Sequence, residues 1–389
     1  MRYVPRLLTP QLQKAVRGFP SVVLTGPRGA GKTPLLRRAF PKATYRLLED
    51  PEVVARVRSD PAAFLDDLRP PALLDEIQNT PELLGHIRAR IDAAPRKTGR
   101  WLLIGSQEAP LMRGVTESMA GRAGLLELWP LSTEETPKVS LIRGGFPEVL
   151  ARPRSAGLWY RSYIQTYLER DVRAISSIRD LATFRRFLAL TASRCGQILN
   201  KSDLAAPLGV SVPTITDWLG ILEVTGQIVL VPPFFENLGK RLIKSPKLYF
   251  VDSGLACHLL GLESEARLRR SPFLGPVFEG YVVSEILKQQ QCAGRRREVY
   301  FFRDQRGLEV DFLVPMGGNQ LALVEAKASA SLRPEDGKPV AALMASASGY
   351  EARGFVVHRP RASRPPLRAL RPGIRGVPLA ELLAFLGRR

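Results

Sequence analysis

The run Gly26-Pro27-Arg28-Gly29-Ala30-Gly31-Lys32-Thr33 constrains this chain more than any other. It has the form G-x-x-x-x-G-K-[ST], and it stands between a β-branched run, Ser21 to Thr25, and an arginine-rich helical stretch, Pro34 to Phe40. A strand feeding a glycine-rich loop and then a helix is the setting in which that pattern cradles phosphates. The glycines let backbone N–H groups turn inward, and the helix start adds the positive end of its dipole. Lys32 is placed to reach the β- and γ-phosphates, and Thr33 to ligand Mg²⁺. A parallel sheet that binds ATP with Mg²⁺ is the expectation.

Leu73-Leu74-Asp75-Glu76 supplies a second half to that site. An apolar strand ending in Asp-Glu lets Asp75 hold the metal through water and Glu76 orient or activate the attacking water. The same pair can cap a helix, but its place downstream of the loop favours the catalytic reading. Trp101 to Ile104 is a further apolar run that ends in Gly105-Ser106-Gln107. Ser106 and Gln107 would sense the γ-phosphate from beside Glu76, or form a simple turn. A leading helix is expected over Thr9 to Val16. Apolar strands alternating with helical stretches indicate a parallel sheet covered on both faces.

The whole chain has 389 residues, enough for two or three domains. Hydrophobic residues make up 45% and charged residues 24%, which excludes disorder and implies packed cores. No apolar run is long enough for a spanning helix, and the N-terminus lacks a signal peptide, so no membrane partner and a cytoplasmic location are expected. The three cysteines, Cys195, Cys257 and Cys292, suit a reducing compartment. The net charge is +20, from 57 Lys and Arg against 37 Asp and Glu. A polyanionic partner follows, with DNA the commonest, although a GC-rich genome or an anionic membrane surface also favours arginine.

Beyond Trp129-Pro130 the pattern changes. Leu158 to Ile175 reads as one amphipathic helix. Leu199 to Ala205, a turn at Leu208 to Ser211, and Val212 to Leu222 read as two helices around a glycine, with Ile215, Trp218, Leu219 and Leu222 facing inward. Gln227 to Val231 and Lys247 to Val251 would form a wing. Thr214, Thr216 and Lys240 to Lys244 are where phosphate contacts are sought. The alternative is a unit that only packs between subunits.

Leu308 to Val314 is a strand with Asp311 at its middle, and Leu321 to Val324 leads into Glu325-Ala326-Lys327. Alternation places Glu325 and Lys327 on one face, with Asp311 on a neighbouring strand. Two converging carboxylates can hold Mg²⁺, while the lysine positions or deprotonates water for phosphodiester hydrolysis. The alternative is an ordinary lysine–carboxylate bridge. The tail from Glu351 has nine arginines against two acids in its 39 residues.

GPRGAGKT, LLDEIQ, LLIGSQ, ESMAGRAGLLELWPLS and GGFPE, in that order, resemble one group of prokaryotic AAA+ ATPases with a C-terminal domain of unknown function. The likeness runs from about residue 18 to 330. It implies a P-loop AAA+ core over 1–135, a helical connector over 136–179, a winged-helix domain over 180–268, and an α/β restriction-endonuclease-like domain with a basic tail over 269–389. It also implies a homo-oligomer, a hexamer by family expectation, whose site is completed in trans by an arginine, for which Arg122 is the positional candidate; the alternative is a surface arginine that binds a carboxylate. The C-terminal motif resembles the D…(E)xK core of restriction-endonuclease-like nucleases, Holliday-junction resolvases among them. That resemblance adds Glu279 to Asp311, Glu325 and Lys327. The function implied is an ATP-driven motor on duplex or branched DNA, with Mg²⁺-dependent cleavage by the last domain. The alternatives are a nucleotide-gated regulator or defence component with an inert nuclease-like domain, and a signalling ATPase whose partner is a protein.

Overall fold

The computed structural model describes residues 3–105, 119–168, 181–234, 245–347, 349–359 and 369–387. The leading helix is α1 (Thr9–Gly18), which stops ahead of Pro20. Strand β1 (Ser21–Thr25) is buried along its whole length, and the glycine loop then delivers the chain into α2 (Lys32–Ala39). β2 (Thr44–Leu47), β3 (Ala72–Asp75), β4 (Trp101–Ile104) and β5 (Ala123–Glu127) complete a sheet ordered β2-β3-β4-β1-β5, parallel throughout. Alternation sorts its side chains between two layers. Val22, Leu24, Leu73, Leu102 and Ile104 pack with Leu12 of α1 and Leu35 and Leu36 of α2. Val23, Leu74, Trp101 and Leu103 pack on the other face against α3 (Pro51–Ser59), α4 (Pro61–Asp66) and α5 (Leu83–Asp92). Both faces of the sheet are covered.

Past β5, Phe146 leads into α6 (Pro147–Ala151), and α7 (Ala156–Tyr163) follows. The long helix read over Leu158 to Ile175 differs: α7 loosens into a π turn over Ile164–Leu168, and residues 169–180 lie outside the described residues. Three helices come next, α8 (Leu181–Ser193), α9 (Lys201–Ala205) and α10 (Val212–Val224). Asn200 caps α9 and Ser211 caps α10, while Gly209 turns between them at φ +66°. The segments 201–208 and 212–224 meet at 110°. β6 (Ile228–Val231) and β7 (Lys247–Phe250) then form an antiparallel ribbon. Ile215, Trp218, Leu219 and Leu222 all face the core. That core also takes in Phe146, Tyr160 and Tyr163, so the stretch before 168 packs as one body with the helices after 181.

α11 (Ser253–Leu259) and α12 (Glu265–Arg270) lead to α13 (Leu274–Cys292). The last sheet contains β8 (Tyr300–Arg303), β9 (Glu309–Gly317), β10 (Gln320–Lys327), β11 (Glu351–His358), β12 (Ala369–Arg371) and β13 (Ile374–Pro378). Its order is β12-β13-β11-β10-β9-β8, antiparallel over β8-β9-β10 and parallel over β10-β11-β13. α14 (Lys338–Ser346) covers one face, and α13 with α15 (Leu379–Leu386) covers the other. The arginine-rich tail is thus no appendage: Phe355, Val357, Val377 and Leu382 are in the core. The chain leaving β6 adds to the free edge of β8, where Phe301 N–H donates to Pro232 O and Phe234 N–H to Phe301 O.

Candidate functional site

Three glycines with left-handed φ, Gly26 (+132°), Gly29 (+75°) and Gly31 (+93°), bend the loop into an arch. At Gly26 a Cβ would stand 2.2 Å from Leu128 O, so no other residue fits there. Lys32 is buried, and its Nζ donates to the carbonyls of Gly26 (2.7 Å) and Pro27 (3.0 Å). Thr33 Oγ1 donates to Asp75 Oδ2 at 2.7 Å, and Tyr45 Oη donates to the same oxygen at 3.0 Å. Burial lifts the Asp75 carboxyl above the usual range, and the Thr33 and Tyr45 hydrogen bonds oppose that lift. Burial and the neighbouring Asp75 push the Tyr45 phenol to about 12.

Glu76 has φ 58° and ψ 47°, the only non-glycine with positive φ among the described residues. Such a conformation costs about 1–3 kcal/mol and is kept where the surroundings demand it. It brings the Glu76 carboxylate 3.6 Å from Arg28 Nη1, where Gln78 Nε2 also donates to it. Gly26 through Thr33, Asp75 and Glu76 therefore converge, and the arch, the lysine and the Thr33–Asp75 pair fit a Mg²⁺–triphosphate. Ser106 and Gln107 lie outside the described residues. Arg122 sits apart. It precedes β5 where Ala123 pairs with Ser21, at the opposite end of β1 from the loop, and its guanidinium donates to Asp92 at 2.6 and 3.1 Å.

Several neighbours of the loop had no sequence signal. Arg6 donates from Nη1 to Ala30 O (2.8 Å), from Nη2 to Trp129 O (2.7 Å) and from Nε to Glu135 Oε1 (2.9 Å). The Trp159 indole lies against Gly29, where a Cβ would meet it at 3.3 Å. Gly226, just before β6, packs against Pro27. A cavity of about 310 Å³ opens beside Ala30 and Gly31, walled by Tyr3, Val4, Pro34 and Pro147.

Residues 18–136 match the AAA domain family, and residues 135–266 and 274–368 match two domains of unknown function, DUF8612 and DUF4143. Uncharacterized proteins of Mycobacterium tuberculosis and Mycobacterium bovis are each 34% identical over 317 residues, which cover 79% of this chain and 70% of theirs. The chain belongs to their family. Within that family this chain carries an AAA domain over residues 18–136. Among solved structures, a Walker-type ATPase of Pyrococcus abyssi is 16% identical with a TM-score of 0.44, over 65% of this chain and 94% of that one. AMPPCP-bound DnaA of Aquifex aeolicus is 17% identical with a TM-score of 0.25, over 56% and 86%. Among the described residues, no single helix is long and apolar enough to cross a membrane.

The second cluster lies in the part of the chain that matches DUF4143. Lys327 Nζ donates to Glu325 Oε1 at 2.7 Å, and Asp311 Oδ2 accepts the Ala326 N–H at 2.9 Å. Tyr249 Oη donates to Glu279 Oε2 at 3.2 Å. Burial raises all three carboxyls, and Asp311 adds to the rise at Glu279, to about 8, and at Glu325, to about 7. Glu279, Asp311, Glu325 and Lys327 are therefore brought together, but not as an open metal site. Lys247 enters from β7, with its Nζ paired to Glu309 and 3.7 Å from Asp311 Oδ1. Among the described residues, no group of three or more His, Cys, Asp or Glu side chains is arranged to hold a metal ion. The expected Mg²⁺ ligands Glu279, Asp311 and Glu325 do not form such a group here, and Lys247 lies beside Asp311. Sequence spacing gave no sign of Lys247, which sits in a different unit of the chain.

Proposed function

We propose that this ATPase hydrolyses Mg²⁺-ATP to drive work on DNA. The observation that carries the catalytic half is the Thr33–Asp75 hydrogen bond at the mouth of an arch that already contains Lys32. Thr33 and Asp75 would hold Mg²⁺, Lys32 would bind the β- and γ-phosphates, and Glu76 would orient the attacking water. The cavity beside Gly31 would take the base. Arg122 stands a strand's length from its own loop, so any part it plays in hydrolysis comes from a neighbouring copy, in a ring such as a hexamer. Ser106, and Gln107 beside it, are proposed to sense the γ-phosphate.

The DNA half is supported by the +20 charge and by the 110° helix pair followed by a two-stranded ribbon, an arrangement that resembles a winged helix. Thr214 and Thr216 are on the second helix of the pair, half-buried and exposed respectively. The mixed sheet with Asp311, Glu325 and Lys327 on adjacent strands resembles a restriction-endonuclease-like fold. A specific observation favours the second reading for that domain, an inert nuclease-like platform: Lys247 among the carboxylates.

The test is ATP hydrolysis with and without duplex, forked, junction and single-stranded DNA. Stimulation by DNA that fades steeply as salt rises supports the proposal. Hydrolysis that no DNA changes, with no DNA bound at low salt, overturns its second half. Hydrolysis that survives Lys32→Ala overturns the first.

A further inference from the structure

We propose that Lys247 holds the place of a divalent cation in the C-terminal carboxylate cluster, so that this domain binds its target without cutting it. The inference rests on the reading of that domain as an inert platform. Lys247 is fixed on both sides: its backbone pairs with Val231 in β6 and bridges to Ile198. Its side chain is 2% exposed, lies over the Phe301 ring at 5.6 Å, and ends between Glu309 and Asp311. A buried ammonium needs carboxylate partners, and those partners here include the aspartate that a metal would need.

The other lysine of the cluster is different. Lys327 comes from the same strand as Glu325, and its side chain is 36% exposed, so water can replace its partner. Lys247 has no such outlet. Glu325 Oε2 is buried with no hydrogen-bond partner, which leaves one oxygen that a cation could use if Lys247 were absent. A divalent ion needs several carboxylate oxygens at once, and a rigid ammonium 3.7 Å from Asp311 Oδ1 competes with it for that carboxylate by charge repulsion. Lys247 and the ion therefore exclude each other.

The test is Mn²⁺ binding to the full, nucleotide-free chain, counted by electron paramagnetic resonance. The wild type is expected to show no site that Glu325→Gln removes. Lys247→Met is expected to gain one site, about ten- to hundredfold tighter than any in the wild type, and to lose it again when Glu325→Gln is added. Lys247→Met/Glu309→Gln removes the partner left behind, and it serves if the single variant does not fold. Wild-type Mn²⁺ binding that depends on Glu325 overturns the proposal, as does failure of both Lys247 variants to gain a site. Metal-dependent cleavage of DNA by the wild type that Asp311→Asn abolishes overturns both it and the inert-platform reading. DNA-stimulated hydrolysis is measured separately, so its absence would count against the work on DNA alone.

Discussion

Thr33 Oγ1 lies 2.7 Å from Asp75 Oδ2, joining the first turn of α2 to the carboxyl end of β3. Thr33 closes the phosphate arch and Asp75 reaches it from the end of β3, so the two would hold Mg²⁺ there, Asp75 through water. Asp75→Asn keeps the shape and removes the charge. It is expected to lower kcat by about 10²–10³-fold while nucleotide binding persists. Lys32→Ala is expected to lose both. Steady-state hydrolysis and titration with a fluorescent ATP analogue separate the two outcomes. An Asp75→Asn enzyme with unchanged kcat would refute the assignment.

Arg6 supports the same arch from outside. Its side chain is 5% exposed, and that of its partner Glu135 is 1% exposed. Removing one member of a buried pair strands the other's charge, at a cost of about 3–5 kcal/mol. Arg6→Ala is expected to show that loss in urea unfolding and to weaken nucleotide binding, because Ala30 O loses its donor. Arg6→Ala/Glu135→Ala is expected to lose less than the sum of the single variants. Strict additivity would show that the pair is not coupled.

The nucleotide half was the legible part of this fold. Its loop, its strand ends and its two-layer burial follow from local pattern, because β1, β3 and β4 are short, fully buried, largely apolar runs, and β1 and β3 end in the polar residues Thr25 and Asp75. β2 escaped notice because Thr44, Tyr45 and Arg46 are only half-buried at the sheet's edge. β11 and β13 were hidden within an arginine-rich composition, although Phe355, Val357 and Val377 alternate into the core. Asp311 and Glu325 were found by spacing, whereas Glu279 came from the resemblance, and the register of β9 with β10 sets Asp311 beside Glu325. Spacing could not reveal Lys247, since that contact depends on how the β6–β7 ribbon docks on β8 rather than on any motif.

Arg122 makes a prediction about assembly. It is bound to Asp92 at the far end of β1 from its own loop, so the proposed role in hydrolysis would be at another copy's nucleotide. Arg122→Ala is expected to reduce hydrolysis by about 10³-fold or more with little change in nucleotide affinity. Lys32→Ala and Arg122→Ala proteins, each inactive alone, are expected to regain activity when mixed, since an intact Lys32 then meets an intact Arg122 at some interfaces. Mixtures as inactive as their components would overturn the role in trans.

His358 makes a prediction about pH. It ends β11 opposite Lys327 in β10, is 3% exposed, and is held by burial below its ordinary pKa. The folded chain thus disfavours protonating this imidazole, whereas the unfolded chain protonates it near the ordinary imidazole value of about 6.5. Below that pH the unfolded state binds the extra proton, so the stabilisation is complete above it and is lost as pH falls. One proton accounts for at most about 1.4 kcal/mol of stability per pH unit. Glu279 and Glu325 act in the opposite sense: their raised carboxyls favour the folded state at lower pH and lose that advantage as pH rises toward about 8 and about 7. Comparing wild type with His358→Gln cancels those contributions. The variant is expected to have a shallower loss of urea stability below neutrality, whatever its stability at high pH. Parallel curves for the two proteins would show that His358 stays accessible to protons in the folded chain.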